Sequence, residues 1–471
     1  MADAECIKRA AEIVMNAESE AAVVVVVSAM AGVTNQLILA AQESAKGDDT
    51  KSGEIGKALR NQHLAVLTAL IKDEAKRSQL ARDVDQIIDE VTTLWRGITL
   101  LRELTPRTLA VVSSIGERLS ARLLAGALNE LGVRSEAIDA TEVIITDDDY
   151  RQAEPLMDHV RERAAARLGP LLEDGITPVI TGFIGATADG TLTTLGRGGS
   201  DYSATVLGAA LEADEIIIWT DVDGVLSTDP RLVPEARLLR DISYNEAAEL
   251  AFFGAKVLHP KTLRPVAEAG IPVWIRNSFE PDKSGTRITQ SGRPTNNGVR
   301  GITAIGNVSL ITVGGFGIVG VIGVAAKTFQ AVAGVRANVL LISQSSSEND
   351  ICFIVDSADA ARTLKALRNA FAADIVHHDV EHINVNSEIA IVAVVGDRMR
   401  GTPGIAGRTF AALGRRDINI IAIAQGSSEY NVSFVVEAKA MRDAVAAVHE
   451  EFNLQMRSSD FESAESVVGV P

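Results

Sequence analysis

The sequence predicts an α/β domain with a largely parallel central sheet, followed by two smaller α+β units of the ferredoxin-like kind. Before about residue 285, short β-branched runs alternate with helical stretches, which is typical of a parallel sheet covered on both faces. Beyond that point, one stretch of sequence occurs twice. The 471 residues, 46% of them hydrophobic, suit a globular protein of two or three domains.

Composition narrows the classes of partner. The chain has 45 basic and 62 acidic residues, a net charge of −17, and no basic block, which argues against nucleic acid or an anionic membrane as partner. Two cysteines, Cys6 and Cys352, are too few for a metal cluster or a disulfide framework and fit a reducing compartment. The opening has a helical pattern rather than that of a signal peptide, and the longest apolar runs fall short of the roughly 20 residues that span a bilayer. We therefore expect a cytoplasmic protein.

The first domain is predicted from six apolar runs that we interpret as strands: AAVVVVVS, LAVVSS, SEAIDA, TPVITGF, DEIIIWTD and IPVWIRN. Residues 49–107 interrupt them with a polar, helix-periodic insert, which we interpret as a helical hairpin over the edge of the sheet. The polar segment PDKSGTRITQSGRPTNNG, which contains Gly and Pro, is interpreted as a connector. The first domain is accordingly placed at residues 1–288.

The second part of the chain is an internal repeat. VLLISQSSSENDICFIV at 339–355 aligns with IIAIAQGSSEYNVSFVV at 420–436. The matching residues differ by 81 positions (425 − 344), and they include the pairs Gln344 and Gln425, Glu348 and Glu429, and Phe329 and Phe410. Each copy has the pattern strand, glycine-bearing loop, helix, strand, turn, strand, helix. We predict two units, at 303–378 and 385–465, that pack side by side with a cleft between them.

The glycine loop of the first copy, GFGIVG at 315–320, satisfies the dinucleotide fingerprint G-x-G-x-x-G. Two observations argue against a dinucleotide. The region about 20 positions further on, NVLLISQ, has no acidic residue for the ribose. The second copy, GDRMRG, has Arg398 at the position of Gly317. The shared feature is a glycine loop at a helix N-terminus, which suits the carboxylate of a small ligand.

The segment TTLGRGGSDYSAT at 193–205 places Arg197, Ser200 and Asp201 on a loop of glycines before a predicted helix. Glycines let backbone N–H groups approach a ligand, and the positive end of the helix favours an anion. The loop therefore suits a phosphate, with Arg197 as a charged clamp and Asp201 as a metal or substrate contact. A tight turn with Ser200 or Asp201 as the helix N-cap would give the same pattern.

Further polar residues are predicted at the carboxyl ends of strands, where open α/β sheets bind ligands. Glu117 is placed just past the run LAVVSS, on the first turn of a helix. The other candidates are Ser28, Thr34, Thr220, Asp221, Arg231 and Lys256. Each alone has a plain explanation as a cap or a solvated side chain, and His259 is expected to be structural. Together they describe a nucleotide-phosphate and Mg²⁺ site beside an amino-acid site, without a Walker A or protein-kinase motif.

Several long motifs, in order, resemble the aspartate kinases, a branch of the amino-acid kinase family. They are SAMAGVTN, SSIGERLSA, TTLGRGGSDYSA, WTDVDGVLSTDPR and ELAFFGAKVLHPKTL. The C-terminal pair, with ISQSSSE and IAQGSSE, resembles tandem ACT regulatory domains. The resemblance implies an amino-acid kinase-type α/β sandwich followed by two ACT units. It also implies ATP-dependent phosphorylation of the β-carboxylate of L-aspartate to 4-phospho-L-aspartate, the entry step to lysine, threonine and methionine.

The resemblance also implies roles for single residues. Arg197 would pair with a substrate carboxylate and Glu117 with the ammonium group, while Asp201 would organise the reacting groups. The implied aspartate-binding set is Thr34, Glu117, Phe183, Arg197 and Ser200. The implied ATP-binding set is Ser28, Thr220, Asp221, Arg231 and Lys256, with Mg²⁺ bound to the ATP and no direct protein ligand assigned. Lysine or threonine as feedback effector would contact Gln344, Gln425, Asn338 and Asn419, and the ACT units would form a homo-oligomer.

One departure from the family pattern concerns the start. Members begin with a strand ending in Lys-Phe-Gly-Gly-Thr-Ser, whereas this sequence starts at the helix that follows it. That lysine would lie against the transferring phosphoryl group, so we expect the chain as given to be nearly inactive.

Two alternative functions stay open: a kinase of another amino acid such as acetylglutamate, and a non-catalytic amino-acid-sensing subunit. The segments IAQGSSE and GDRMRG resemble the threonine-responsive bifunctional enzymes more than the lysine-responsive ones.

Overall fold

The computed structural model describes residues 1–254, 258–293, 298–347, 349–399, 401–426 and 430–455. The helices are α1 Ala4–Glu18, α2 Val33–Ala45, α3 Asp49–Leu70, α4 Glu74–Leu101, α5 Pro106–Glu130, α6 Met157–Glu173, α7 Gly199–Ala210, α8 Tyr244–Phe252, α9 Pro260–Ala269, α10 Val324–Gly334, α11 Ser357–Ala370, α12 Ala372–Val376, α13 Ile405–Gly414 and α14 Met441–Glu451. The strands are β1 Val25–Val27, β2 Ser135–Ile138, β3 Thr177–Thr181, β4 Ile184–Ala186, β5 Leu192–Thr194, β6 Ile216–Thr220, β7 Asp241–Ser243, β8 Val273–Asn277, β9 Thr286–Thr289, β10 Gly301–Gly314, β11 Leu341–Gln344, β12 Asp350–Asp356, β13 His382–Val395, β14 Ala422–Ala424 and β15 Asn431–Glu437.

The chain forms two compact units, and each is built from two separate stretches of sequence. The first unit comprises Met1–Asp223 and Leu258–Gln290, and the second comprises Gly224–Val257 and Ser291–Pro471. Among the described residues, no helix has an apolar stretch long enough to cross a membrane.

The first unit confirms the predicted α/β fold with parallel strands. The strands β1, β3 and β2 lie side by side in that order, and all run parallel. The strand β6 runs parallel to β8, which pairs antiparallel with β9. The parallel strands therefore form two groups. The strand β9 also lies inside the stretch interpreted as a connector, and that interpretation is wrong for these four residues, because alternate residues, Thr286 and Ile288, are buried.

One predicted strand is wrong. The run LAVVSS, residues 109–114, lies inside α5, which is capped by the side chain of Thr105 and has Pro106 in its first turn. The run is apolar because α5 is buried on nearly every side, and a short apolar run does not distinguish a buried helix from a strand. Glu117 consequently lies in the middle of a buried helix rather than on its first turn.

The insert at residues 49–107 forms helices, as predicted. The N-cap residues of α3 and α4 are Asp48 and Asp73, whose side chains accept hydrogen bonds from backbone N–H groups of the first turn. Both helices pack with α5 in one hydrophobic core that includes the buried side chains of Leu59, Val91 and Trp95.

The second unit confirms the duplicated α+β architecture. The six strands β11, β12, β10, β13, β15 and β14 form one antiparallel sheet in that order, and each copy has the predicted succession of strands and helices. Equivalent aromatic contacts occur in both copies. Phe329 meets Phe353 edge-on at 5.7 Å between ring centroids, and Phe410 meets Phe434 at 6.3 Å. Another matching pair of the repeat, Glu348 and Glu429, lies outside the described residues.

Close packing explains why residue 317, in the glycine loop of the first copy, is a glycine. A Cβ on Gly317 would lie 2.4 Å from the Cα of Asp379, so a larger residue would force the backbone apart. Phe316, its neighbour in the same loop, is 76% exposed.

Candidate active site

The ends of β1 and β3 meet the start of α7. The backbone N–H of Gly182, just after β3, donates to the carbonyl of Val27 at 2.8 Å. A Cβ on Gly182 would lie 2.7 Å from the Cβ of Ser200 and 2.8 Å from the Val27 carbonyl oxygen. Three segments distant in sequence therefore converge at the carboxyl ends of two parallel strands, as the sequence predicted. Ser28 follows directly and is exposed.

The loop GRGGSD, residues 196–201, leads into α7, and no side chain among the described residues caps this helix. Gly198 is the N-cap residue in the left-handed region, at φ +71°, and its position rules out Ser200 or Asp201 as the cap. The backbone N–H groups of the first turn are thus not capped by a side chain, which suits an anion at the helix N-terminus. Arg197 immediately precedes the cap and is exposed.

Phe183 packs against this loop. Its φ is +70°, an unfavourable value for a bulky residue, and its N–H donates to Ser203 Oγ at 3.0 Å. A Cβ on Gly199 would lie 2.7 Å from the Phe183 ring. Backbone strain of this kind persists where the surrounding structure over-determines it, and it often accompanies functional sites.

Glu117 is the most perturbed carboxyl group of the site. It is 4% exposed, and its Oε1 accepts from the N–H of Ala29 at 3.4 Å. Among the described residues, its buried Oε2 has no hydrogen-bond partner. Burial raises the pKa of Glu117 to about 7. A buried carboxylate oxygen without a donor suits the ammonium group of a ligand, which would supply both the charge and the hydrogen bond.

Glycine packing explains why Glu117 lies there. A Cβ on the preceding residue, Gly116, would lie 2.6 Å from the Cβ of Ala29, so α5 passes very close to the loop between β1 and α2. That loop ends at Gly32, the N-cap of α2 at φ +79°, and Thr34 lies in the first turn of the helix. Thr34 and Glu117 thus lie on elements that pack against one another.

Asp201 is the second shifted carboxyl group, in the first turn of α7. Burial raises its pKa to about 6. Because burial disfavours the ionised form of both carboxyl groups, a cationic partner would stabilise each of them. Perturbed titratable groups at converging strand ends are typical of functional sites.

Thr220 and Asp221 form a separate group at the carboxyl end of β6. The carbonyl of Thr220 accepts two hydrogen bonds from Ser278, one from its N–H at 2.8 Å and one from its side-chain hydroxyl at 3.0 Å. Asp223 accepts from Asn277 at 2.6 Å and from Lys283 at 3.0 Å, and these hydrogen bonds lower its pKa. The ends of β6 and β8 are therefore held rigidly, while Asp221 itself is exposed.

The remaining predicted residues lie elsewhere. Arg231 belongs to the second unit, where its exposed side chain pairs with Asp229 at 2.6 Å, and Lys256 lies outside the described residues.

Gln425 lines a pocket of about 300 Å³ beside the second glycine loop. Gln344, Asn338 and Asn419 are exposed, the first at the end of β11 and the others shortly before β11 and β14.

His259 was expected to be structural, and it is the N-cap of α9, with its Nδ1 accepting from the N–H of Lys261 at 3.3 Å. It also lies against the GRGGSD loop, because a Cβ on Gly198 would be 2.8 Å from the Cβ of His259. Burial lowers its pKa, as do the charges of Arg197 and Lys261. The cap agrees with the expected structural role, whereas the contact with the loop was not predicted.

Substitution of Gly182 by alanine is expected to destabilise the first unit by roughly 1–3 kcal/mol, because the new methyl group would push the α7 backbone away from β1. Thermal or denaturant unfolding measures the change. Gly169 in α6 is the matched control, since a Cβ there meets nothing within 4 Å. Gly169→Ala should be neutral or slightly stabilising. Equal effects of the two substitutions would contradict the proposed convergence at Gly182.

Comparison with known proteins agrees with this architecture. Residues 1–277 match the amino acid kinase family, and residues 311–371 and 392–452 match the ACT domain. The first residues of the two ACT matches, 311 and 392, differ by the same 81 positions as the sequence repeat.

Individual relatives are similar over nearly the whole chain. A bifunctional aspartokinase/homoserine dehydrogenase of Daucus carota is 36% identical over 468 residues, covering 96% of this chain and 49% of the relative. Aspartokinase 1 of Arabidopsis thaliana is 32% identical, and the match covers 78% of that protein. The chain thus spans about half the length of the bifunctional relatives that it matches.

Solved structures give the same result. E. coli aspartokinase III in complex with aspartate and ADP superimposes with a TM-score of 0.79 at 31% identity, covering 96% of this chain and 97% of that one. Its complex with lysine and aspartate gives a TM-score of 0.76. The chain therefore belongs to the amino acid kinase family, as an aspartokinase-type member with two ACT domains.

Proposed function

We propose that the protein is an aspartate kinase, which transfers the γ-phosphoryl group of ATP to the β-carboxylate of L-aspartate. The observation that carries the proposal is the buried Oε2 of Glu117, which has no hydrogen-bond partner among the described residues and lies on the helix that packs against the loop after β1. It would accept from the substrate ammonium group. Arg197, at the N-terminus of α7, would pair with a substrate carboxylate. A bound aspartate in a structurally similar aspartokinase supports this substrate.

The reaction needs positioning more than proton transfer. A substrate carboxylate is already ionised at neutral pH, so no strong general base is required. The first turn of α7, with Ser200 and Asp201, would hold the carboxylate in line with the phosphoryl group. The helix N-terminus and Arg197 would offset the negative charge that collects there.

ATP would be held by Ser28, Thr220 and Asp221 of the first unit, together with Arg231 and Lys256. Mg²⁺ would enter bound to the nucleotide phosphates and would neutralise part of their charge. Hydroxyl and carboxylate oxygens at the ends of β1 and β6 are of the donor type that Mg²⁺ prefers. The ADP bound to aspartokinase III supports a nucleotide at this fold.

The test is a coupled assay with ATP and L-aspartate, combined with calorimetric binding of L-aspartate. The binding measurement reports on the substrate site without requiring turnover. We expect aspartate to bind and N-acetylglutamate not to bind. Binding of N-acetylglutamate in preference to aspartate would refute the proposed substrate, and binding of neither would refute the kinase proposal.

Regulation is proposed to act through the ACT units, by binding lysine or threonine. Gln425 in the pocket beside the second glycine loop, and Gln344 at the equivalent position of the first copy, are the proposed contacts, with Asn338 and Asn419 nearby in sequence. A lysine complex of aspartokinase III supports an amino-acid effector. We also propose a homo-oligomer formed through the ACT units, and a cytoplasmic location.

Addition of millimolar L-lysine or L-threonine is expected to raise the melting temperature of the protein, because a ligand selective for the folded state stabilises it. The double variant Gln344→Ala, Gln425→Ala should lose that shift. Gln79→Ala, on the exposed face of α4, is the control and should keep it. A shift of unchanged size in the double variant would place the effector elsewhere.

A further inference from the structure

A stretch of the kinase sequence belongs to the regulatory unit. The kinase family match covers residues 1–277, yet Gly224–Val257 forms a compact unit with the ACT domains. The chain leaves the first unit at Asp223 and returns at Leu258. This excursion contains β7, α8, Arg231 and Lys256, and so carries two of the proposed nucleotide contacts.

The first half of the excursion is anchored in the second ACT domain. Ser227 is fully buried, and its Oγ lies 2.9 Å from Nε2 of His449 in α14, while its carbonyl accepts from the N–H of Ile302 at 2.8 Å. Arg442 donates to the carbonyl of Arg231 at 2.7 Å. Val233 is part of the hydrophobic core of the second ACT domain. These contacts fix the backbone that carries Arg231.

The second half is joined to the ACT domains through two carboxylates of α8. Glu246 is 1% exposed, and its Oε1 accepts from Arg300 Nε and from the N–H of Asp397, both at 3.0 Å. Glu249 accepts from the side-chain amide of Asn431 at 2.5 Å. A buried carboxylate that loses its donors is left with a large desolvation cost, so the contacts of Glu246 hold α8 firmly. The partly buried Glu249 adds a second contact.

Two of these partners, Asp397 and Asn431, lie close in sequence to residues that line the pocket containing Gln425. Asp397 lies two residues before Met399, and Asn431 lies immediately before Val432, and both apolar side chains line the pocket. A ligand in the pocket would therefore contact residues adjacent in the chain to those that hold α8. The helix ends at Phe252, shortly before Lys256.

We propose that Glu246 and Glu249 transmit effector binding from this pocket to α8, and through it to the nucleotide-binding residues of the excursion. The inference rests on the proposed function for the identity of those residues. A shift of the second glycine loop or of the start of β15 changes the position of Asp397 or Asn431. The two carboxylates follow their donors, and α8 moves with them. Glu246 and Glu249 are thus positioning residues that never contact substrate.

The test measures how an effector changes nucleotide affinity, with and without the Glu249–Asn431 contact. The variants are Glu249→Ala, which removes the acceptor, Asn431→Ala, which removes the donor, and their combination. The control is Glu437→Gln, at the opposite end of β15, where an exposed carboxylate pairs only with Lys439 among the described residues. ADP dissociation constants are measured by calorimetry without and with saturating L-lysine or L-threonine, and melting shifts report effector binding separately.

In the unmodified protein and in Glu437→Gln, we expect the effector to change the ADP dissociation constant by about fivefold or more. In the three variants the change should fall to about twofold or less, while the melting shift on adding effector persists. That combination separates lost transmission from lost binding. The double variant should show no more loss than either single variant, since both remove the same contact.

Undiminished coupling in the variants would overturn the inference, and so would an unmodified protein whose ADP affinity neither amino acid changes. A protein that shows the expected loss of coupling but neither phosphorylates nor binds aspartate would leave this inference standing and refute the proposed function. The two failures are therefore distinguishable.

Discussion

Replacing Arg197 with alanine is expected to lower kcat/KM for aspartate by about two orders of magnitude, roughly 2–4 kcal/mol of transition-state stabilisation. The side chain is exposed beside the N-cap of α7, so its removal leaves no cavity and should leave stability nearly unchanged. The loss would come from the charge-assisted hydrogen bonds to a substrate carboxylate.

Steady-state kinetics with both substrates varied, supported by aspartate binding, measure this effect. Arg197→Lys retains the charge but not the planar fork, and it should recover only part of the activity. Arg161→Ala, on the exposed surface of α6, is the control and should have no effect. An increase in KM for ATP with an unchanged KM for aspartate would show that Arg197 binds the nucleotide instead.

The sequence predicted the fold well where a pattern of apolar residues extended over many positions or occurred twice in the chain. The 81-residue repeat predicted the two α+β units, and equivalent positions pack in both copies, as the Phe329–Phe353 and Phe410–Phe434 contacts show. Their identity as ACT domains came from the family resemblance. Residues 109–114 were misassigned, because a helix buried on nearly every side lacks a broad polar face to set a helical period. Excursions such as Gly224–Val257 leave no periodic signal, since they depend on contacts with residues far along the chain.

The candidate site shows the same limit. The glycine loops and the residues at strand ends were identified from local pattern, and the structure brings Ser200 close to the strand ends at Val27 and Gly182. The contact of His259 with Gly198 and the positive φ of Phe183 arise from packing between separate segments. Short-range pattern carries no information about such contacts. The family resemblance supplied Phe183, and the local pattern alone would have missed it.

Replacing Glu117 with glutamine is expected to stabilise the free protein at pH 8 by on the order of 3 kcal/mol, and to remove most of its affinity for aspartate. Burial raises the pKa of Glu117 from 4.5 to about 7. The unfolded chain therefore ionises this carboxyl group near pH 4.5, while the folded chain keeps it protonated up to about pH 7. Between these values the unfolded state binds fewer protons, and stability falls as the pH rises.

The stability gained by glutamine at position 117 depends on pH. Below pH 4.5 the carboxyl group is neutral in both states, and glutamine, of the same shape, should give the same stability. From pH 4.5 to 7 the difference should grow in favour of glutamine, and above pH 7 it should stay constant. Chemical denaturation at pH 4, 6 and 8 measures it. Glu162→Gln on the exposed face of α6 is the control, with no comparable trend expected.

The same substitution separates a binding role from a purely structural one. An ammonium group at Oε2 would pair with the ionised carboxylate, so the affinity of the unmodified protein for aspartate should rise as the pH passes through about 7. Saturating aspartate would then restore the stability that ionisation costs, because a ligand bound only to the folded state adds its binding free energy. The glutamine variant should gain little from aspartate at any pH. A variant that is more stable at pH 8 and still binds aspartate normally would show that Glu117 is buried for packing alone. A stability difference independent of pH would instead show that the carboxyl group is already ionised in the free protein.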